Sequence, residues 1–163
     1  MKKTVVLGCD HGGFELKEDV KAYLAELGYP LVDFGCYDKQ AVDYPDIAFL
    51  VAEAISTNEE YVGLMIDGVG IGSTMVANKV PGVRCALCWD LSTVINSRDH
   101  NNANMLAIGG QFLGKGLARQ MVKTWLETPF SGGRHEKRVT KIMEVESRFL
   151  KRFRQVEPCS SDK

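Results

Sequence analysis

Residues 64–79 read LMIDGVGIGSTMVANK. The apolar run Leu64-Met65-Ile66 ends in one aspartate, Asp67, and Gly68, Gly70 and Gly72 then alternate with Val69 and Ile71. A short run that is apolar on both faces suits a strand in a parallel sheet covered by helices. The glycines suit a tight turn whose bare backbone can approach a ligand, opening into a helix. Strand, turn and helix in that order form the repeating unit of an α/β sheet.

The unit recurs in both directions from this stretch. Strands are predicted over 4–8, 31–34, 62–66, 83–88 and 105–108, and helices over 14–27, 45–56, 71–79, 91–100 and 115–127. Leu16, Val20, Tyr23, Leu24 and Leu27 keep helical spacing on one face. A last helix is predicted over about 134–154, with Val139, Ile142, Met143, Phe149, Leu150 and Phe153 near one stripe. The Gly132-Gly133 hinge before it lets that helix cover its own sheet or pack on a second subunit. The expected fold class is α/β, an open sheet of parallel strands covered by helices, with an extra C-terminal helix. The chain forms one domain over 1–154, and 155–163 reads as a flexible tail.

Bulk composition removes several function classes. The 163 residues suffice for one sizeable core. A net charge of −1 leaves no bulk footprint for nucleic acid or an anionic membrane. No run approaches the roughly 18 apolar residues that span a bilayer, and the apolar run at the N-terminus is too short for a secretion signal. A cytoplasmic protein is therefore expected. The five cysteines are odd in number and the chain is not small, which argues against a disulfide framework. Cys85 and Cys88 form a C-x-x-C inside a predicted strand, where residues three apart face opposite ways, so a core role is expected.

In open α/β sheets ligands bind beyond the carboxyl ends of the strands. The turns after the strands are expected to gather Asp10, His11, Asp67 and His100 on one rim, with Arg134 and Arg138 nearby or supplied by a neighbour. The glycine run is not a dinucleotide fingerprint, because Ser73 stands where its third glycine belongs, and no Walker loop is present. Its N–H groups could face developing negative charge. Asp67 has a plainer alternative as a cap for the next helix. A carboxylate base, a donor-lined turn, an imidazole and two arginines four residues apart suit aldose–ketose isomerisation of a phosphorylated sugar. No cofactor is expected, and no tight ligand cluster suggests a metal.

The segments GCDHGGFELK, VDYPD, GIGSTMVANKVPGVRCAL, RDHNNANMLAIGG and GGRHEKRV resemble the family of type B ribose-5-phosphate isomerases and galactose-6-phosphate isomerase subunits. The resemblance runs from about residue 3 to about residue 145. It implies a Rossmann-like three-layer sandwich with a five-stranded parallel sheet, and dimers, often paired into tetramers, with active sites shared between subunits. It implies that Asp10 and His11 bind the sugar or its phosphate, that Tyr44 lines the pocket, and that Gly68, Gly70 and Gly72 form the anion-holding turn. His100 would help open the furanose ring, Asn101 would hold a sugar hydroxyl, and Arg134 and Arg138 would take the phosphate across the subunit boundary. His135 is a weaker candidate for the site. Three positions depart from the family pattern: Asp67, Val69 and Gln111 stand where many ribose-type members have cysteine, threonine and arginine. Aspartate at the base position also occurs in the A subunit of galactose-6-phosphate isomerase.

Ribose 5-phosphate and ribulose 5-phosphate are the leading substrate pair. The alternatives are galactose 6-phosphate, allose 6-phosphate or a tetrulose phosphate, or a subunit active only with a partner. A phosphorylated receiver domain would need an acidic pair after the first strand and a lysine after the fifth. Cys9-Asp10 and Gly109-Gly110 stand in those places.

Overall fold

The computed structural model describes residues 2–154, so the tail expected over 155–163 lies outside the described residues. The chain alternates β1 (Thr4–Cys9), α1 (Phe14–Glu26), β2 (Leu31–Asp33), α2 (Tyr44–Thr57), β3 (Tyr61–Asp67), α3 (Ile71–Ala77), β4 (Cys85–Leu87), α4 (Leu91–Asp99), β5 (Met105–Gly109) and α5 (Lys115–Glu127). A final helix, α6, spans Arg134–Arg154. The five strands form one sheet in the order β2-β1-β3-β5-β4. Every pairing is parallel, with Val5 opposite Val62, Leu64 opposite Leu106 and Asp67 opposite Gly109. This is the parallel α/β sheet that the alternation of runs predicts, in the sandwich that the family resemblance implies.

Strand alternation splits the core in two. Val5, Leu7, Leu64, Ile66 and Ile108 face α1 and α5, where Leu16, Val20, Leu24, Met121 and Trp125 are buried. Val6, Met65, Met105 and Ala107 face α2, through Ala48, Val51, Ala52 and Ile55, and the Ala77 end of α3. Helix α5 shows the sequence logic plainly. Ala118, Met121, Val122 and Trp125 are its buried residues, at helical spacing, and it stops at Thr128, which the following Pro129 holds extended. Burying each large side chain on this stripe contributes about 1.5–3 kcal/mol.

Two elements are shorter than their apolar patterns suggest, because side chains replace backbone partners at their ends. Helix α3 stops at Ala77, where the Asn78 carboxamide turns to both backbone groups of Cys85, accepting from N at 2.9 Å and donating to O at 2.9 Å. Strand β4 begins only at Cys85, because the Arg84 N–H donates to Asn104 Oδ1 at 2.7 Å. Cys85 and Cys88 belong to opposite core layers, as the strand reading expects. No helix among the described residues is long and apolar enough to cross a membrane.

Helix α6 stands apart from these layers. Ile142, Val145, Phe149 and Leu150 are exposed along it. It reaches the body through Glu146, whose carboxylate accepts the Gly82 N–H at 3.0 and 3.1 Å, and through the Met143 sulfur beside Arg84. A groove of about 1090 Å³ runs between α6 and the β4 edge, lined among others by Cys85, Leu87, Asn96, Val145 and Phe149.

Candidate active site

Three turns meet at the C-terminal rim, beside the junction of β1 and β3 where the strand order reverses, the usual place for a ligand crevice. After β1, the Asp10 carboxylate accepts the Gly13 N–H at 3.0 Å, and His11 is exposed. A Cβ on Gly13 would lie 1.7 Å from the Ile66 carbonyl oxygen, so this turn reaches β3 only because residue 13 has no side chain. The β5 turn closes the third side, with the Gly110 N–H on Asp67 O at 2.7 Å and the Gln111 N–H on Gly68 O at 3.1 Å. The Tyr44 ring lies against Gly72, where an added Cβ would come within 2.4–2.6 Å of the ring and hydroxyl. The rim thus brings together Asp10, His11, Tyr44, Asp67, Gly68, Gly70 and Gly72.

Asp67 is only 3% exposed, and its carboxylate is surrounded by donors. Oδ1 accepts from the Val69 N–H at 2.9 Å and from the Gly70 N–H. Oδ2 accepts from the Ser73 N–H at 3.3 Å and from the Ser73 hydroxyl. An ionised carboxylate offers about four acceptor sites, so its capacity is matched within its own turn. Gly70 has φ of 82°, the left-handed conformation that favours glycine, and this lets the turn wrap its amides inward. Asp67 therefore performs the capping alternative read from the sequence, although Gly70 is the formal N-cap of α3. Two amides expected to face a ligand's charge face Asp67 instead.

The second set of residues lies at the other end of the sheet. Helix α4 starts beyond β4 and runs back along it, nine residues or about 13 Å at 1.5 Å per residue. Its C-cap, His100, consequently sits at the edge where β4 and β5 begin. There Arg84, one residue before β4, bonds the Asn102 carbonyl, and Asn104 bonds the Arg84 backbone. This corrects the expectation that Asp10, His11, Asp67 and His100 share a rim within one chain. A helix after a strand must turn back before the next parallel strand can start, so its two ends serve opposite edges.

Around His100 the site is made of side chains. The ring stacks on His135, with centroids 4.0 Å apart and planes 8° from parallel. Its Nε2 is 3.2 Å from Asp99 Oδ2, and its Nδ1 is 2.8 Å from Asn96 Nδ2. Ser131 bonds both the backbone and the carboxylate of Asp99, which pins the α5–α6 loop and sets the start of α6 beside His100. Arg134 Nε donates to His135 Nε2 at 3.3 Å, and Arg138 lies one turn later. Burial, then the charges of His100, Arg134 and Arg138, hold His135 below the ordinary imidazole range, with Asp99 opposing. Asn101 donates to both oxygens of Asn96.

Ser73, Asn96 and Asp99 join these sites without having stood out among the motifs. Ser73 is detectable as the third residue of the helix after a strand-end carboxylate, and Asn96 as the (i, i+4) neighbour of His100. Among the described residues no group of three or more His, Cys, Asp or Glu is placed to hold a metal. The rim holds Asp67, its inward amides and the exposed His11, and the opposite edge holds His100, His135, Arg134 and Arg138.

Comparison with known proteins supplies the lineage. The pattern of the family described as Ribose/Galactose Isomerase matches residues 5–142. Ribose-5-phosphate isomerase B of Escherichia coli is 39% identical over 146 residues, which cover 90% of this chain and 98% of that protein. The structure of Clostridium thermocellum ribose-5-phosphate isomerase B is 44% identical with a TM-score of 0.87, covering 90% of this chain and 99% of that one. Ribose-5-phosphate isomerase B from Mycoplasma genitalium, solved with bound ribulose-5-phosphate, is 36% identical with a TM-score of 0.85, covering 88% and 96%. By sequence and by fold, over nearly its whole described length, this chain belongs to the ribose/galactose isomerase family.

Proposed function

We propose that this protein interconverts ribose 5-phosphate and ribulose 5-phosphate through an enediolate, in active sites each completed by two copies of the chain. One observation carries the reading. The base-and-amide half and the imidazole-and-guanidinium half lie at opposite edges of one sheet, so a second copy must bring them together. The groove beside β4 and the exposed apolar residues of α6 give that copy a surface to occupy. A self-complementary contact of this kind closes as a dimer with two equal sites.

In this scheme Arg134 and Arg138 of one copy clamp the phosphate with charge-assisted hydrogen bonds. His100 of that copy attends the ring oxygen as the furanose opens, and Asn101 holds a hydroxyl. On the other copy Asp10, His11 and Tyr44 flank the sugar. Asp67 takes the proton from C2 and returns it to C1. Taking that proton requires one of its four donors to yield, and the Ser73 hydroxyl, which can rotate to accept, is the one able to do so. The N–H groups of Ile71 and Gly72, in the first turn of α3, have no intrahelical acceptor and remain for the enediolate oxygen.

Mixing two inactive variants tests the shared site. Asp67→Asn and the double variant Arg134→Ala/Arg138→Ala are each expected to lose ribulose 5-phosphate formation. Unfolded and refolded together, they should recover roughly a quarter of normal activity, because half of a random dimer population carries one intact site of two. No recovery from a well-mixed dimer population would place all the groups in one chain and overturn the scheme.

A further inference from the structure

We infer that Asn96 is a positioning residue that holds the proton of neutral His100 on Nε2, an inference that rests on the proposed action of His100 on the substrate. The Asn96 carbonyl oxygen fixes the direction of the whole network, because a main-chain oxygen can only accept. Asn101 Nδ2 lies 3.2 Å from it, so this end of the Asn101 carboxamide is its NH₂. That NH₂ also lies 3.1 Å from the Asn96 side chain, so the Asn96 atom facing it must be the acceptor Oδ1. The opposite end of the Asn96 carboxamide is then its NH₂, and it lies 2.8 Å from His100 Nδ1. Nδ1 must accept, and a neutral imidazole that accepts at Nδ1 carries its hydrogen at Nε2.

The remaining contacts agree with that assignment. Nε2 faces an acceptor, Asp99 Oδ2, at 3.2 Å. Asp99 is itself fixed by Ser131, and the ring face is fixed by His135. Every edge of the imidazole but the outward one is thereby held. The charged or titratable groups beside it are Asp99 on its own helix and His135 on α6, and His135 is in turn flanked by Arg134 and Arg138. Asn96 and Asn101 both line the groove beside β4, so the network stands where a second copy would bring the sugar. A sugar oxygen arriving at Nε2 would share or take over the N–H now directed at Asp99 Oδ2, so the donor it meets has a defined direction. The other tautomer would set an N–H of His100 against the NH₂ of Asn96.

Nitrogen-15 NMR of the histidine side chains at neutral pH reads the tautomer directly. The wild-type protein is expected to show a protonated Nε2 and an unprotonated Nδ1 for His100, assigned by through-bond correlation of the ring to the His100 backbone. Asn96→Asp places an acceptor at Nδ1 and should transfer the proton there. Asn96→Leu, which supplies neither donor nor acceptor, should give a mixture of tautomers. With ribose 5-phosphate, Asn96→Asp should lower kcat on the order of tenfold or more while KM stays within about threefold, as for a misplaced acid–base group. A wild-type His100 protonated at Nδ1 would overturn the assignment, and this measurement needs no variant to fold. A tautomer that switches with kcat unchanged would overturn the claim that the setting serves the reaction. If ribose 5-phosphate proves not to be a substrate, the functional reading fails separately, and the NMR pattern alone decides for Asn96.

Discussion

Asp67 is held by main-chain N–H groups and one hydroxyl of its own turn, whereas His100 is held by side chains alone: Asn96, Asp99 and His135. The two edges of one sheet have built polar sites in different ways. The rim depends on where glycine lets backbones touch, so bulk is what damages it. The opposite edge depends on which functional groups stand one turn apart on α4 and α6, so it can be altered one residue at a time. The rim is also made of turns that directly follow β1, β3 and β5 and bond to one another. The other site is carried partly on a helix whose apolar residues face outward. Substitutions at the two edges should therefore fail differently.

The largest effect is expected at the rim. Asp67→Asn replaces an acceptor by a group with two N–H donors, among four donors that already point at it. Stopped-assay kinetics should show kcat lower by roughly 10²–10⁴-fold. Thermal or denaturant unfolding should show a loss of about 1–3 kcal/mol, because a buried donor is left unpaired. A catalytically dead variant of unchanged stability would mean that the turn does not rely on the carboxylate, and the contrast between the edges would weaken.

A smaller, purely functional loss is expected from α6. Arg138→Ala removes an exposed guanidinium from the outer surface of that helix. Losing one charge-assisted bond to phosphate, about 1.5–3 kcal/mol, should raise KM for the sugar phosphate roughly 10–100-fold with the unfolding midpoint unchanged. A fall in kcat at constant KM would move Arg138 from phosphate binding to the reacting end of the sugar.

The smallest effect concerns pH. His135 is held below its ordinary value of about 6.5, chiefly by burial. As pH falls, the unfolded chain takes up this proton before the folded chain does, so acid favours unfolding. The contribution to stability is intact above about pH 6.5. It declines as pH drops through the window between that value and the lower folded one, then levels off. Melting temperatures of wild type and His135→Gln over this range should converge towards acid. Parallel curves would show that the stack does not disfavour the charged ring.

Much of this molecule is legible in its residues. The five strands and six helices come from short two-faced apolar runs alternating with helical spacing. Helix α5 can be drawn from Ala118, Met121, Val122 and Trp125 alone. Gly68, Gly70 and Gly72 mark the turn after β3. Direction and partner choice are harder to read. Chain order puts His100 on the rim because it comes after β4, yet a nine-residue helix intervenes and reverses the path. The donors to Asp67 are legible as a turn but not as its own hydrogen-bond set, since a main-chain N–H has no letter in the sequence. The Asn101–Asn96–His100 relay is spelled in ordinary polar residues on a short helix. Only coordinates distinguish it from a solvated face.

The carboxylate enclosed by its own turn has one more consequence. A loop of bare amides with no anion would have to be organised anew each time a substrate arrived. Here a tethered negative group keeps the loop shaped between turnovers, so the entropy of ordering it is lost once, at folding, and not in every cycle. On the proposed mechanism, the resting protein already carries an internal counterpart of the charge that forms on the substrate.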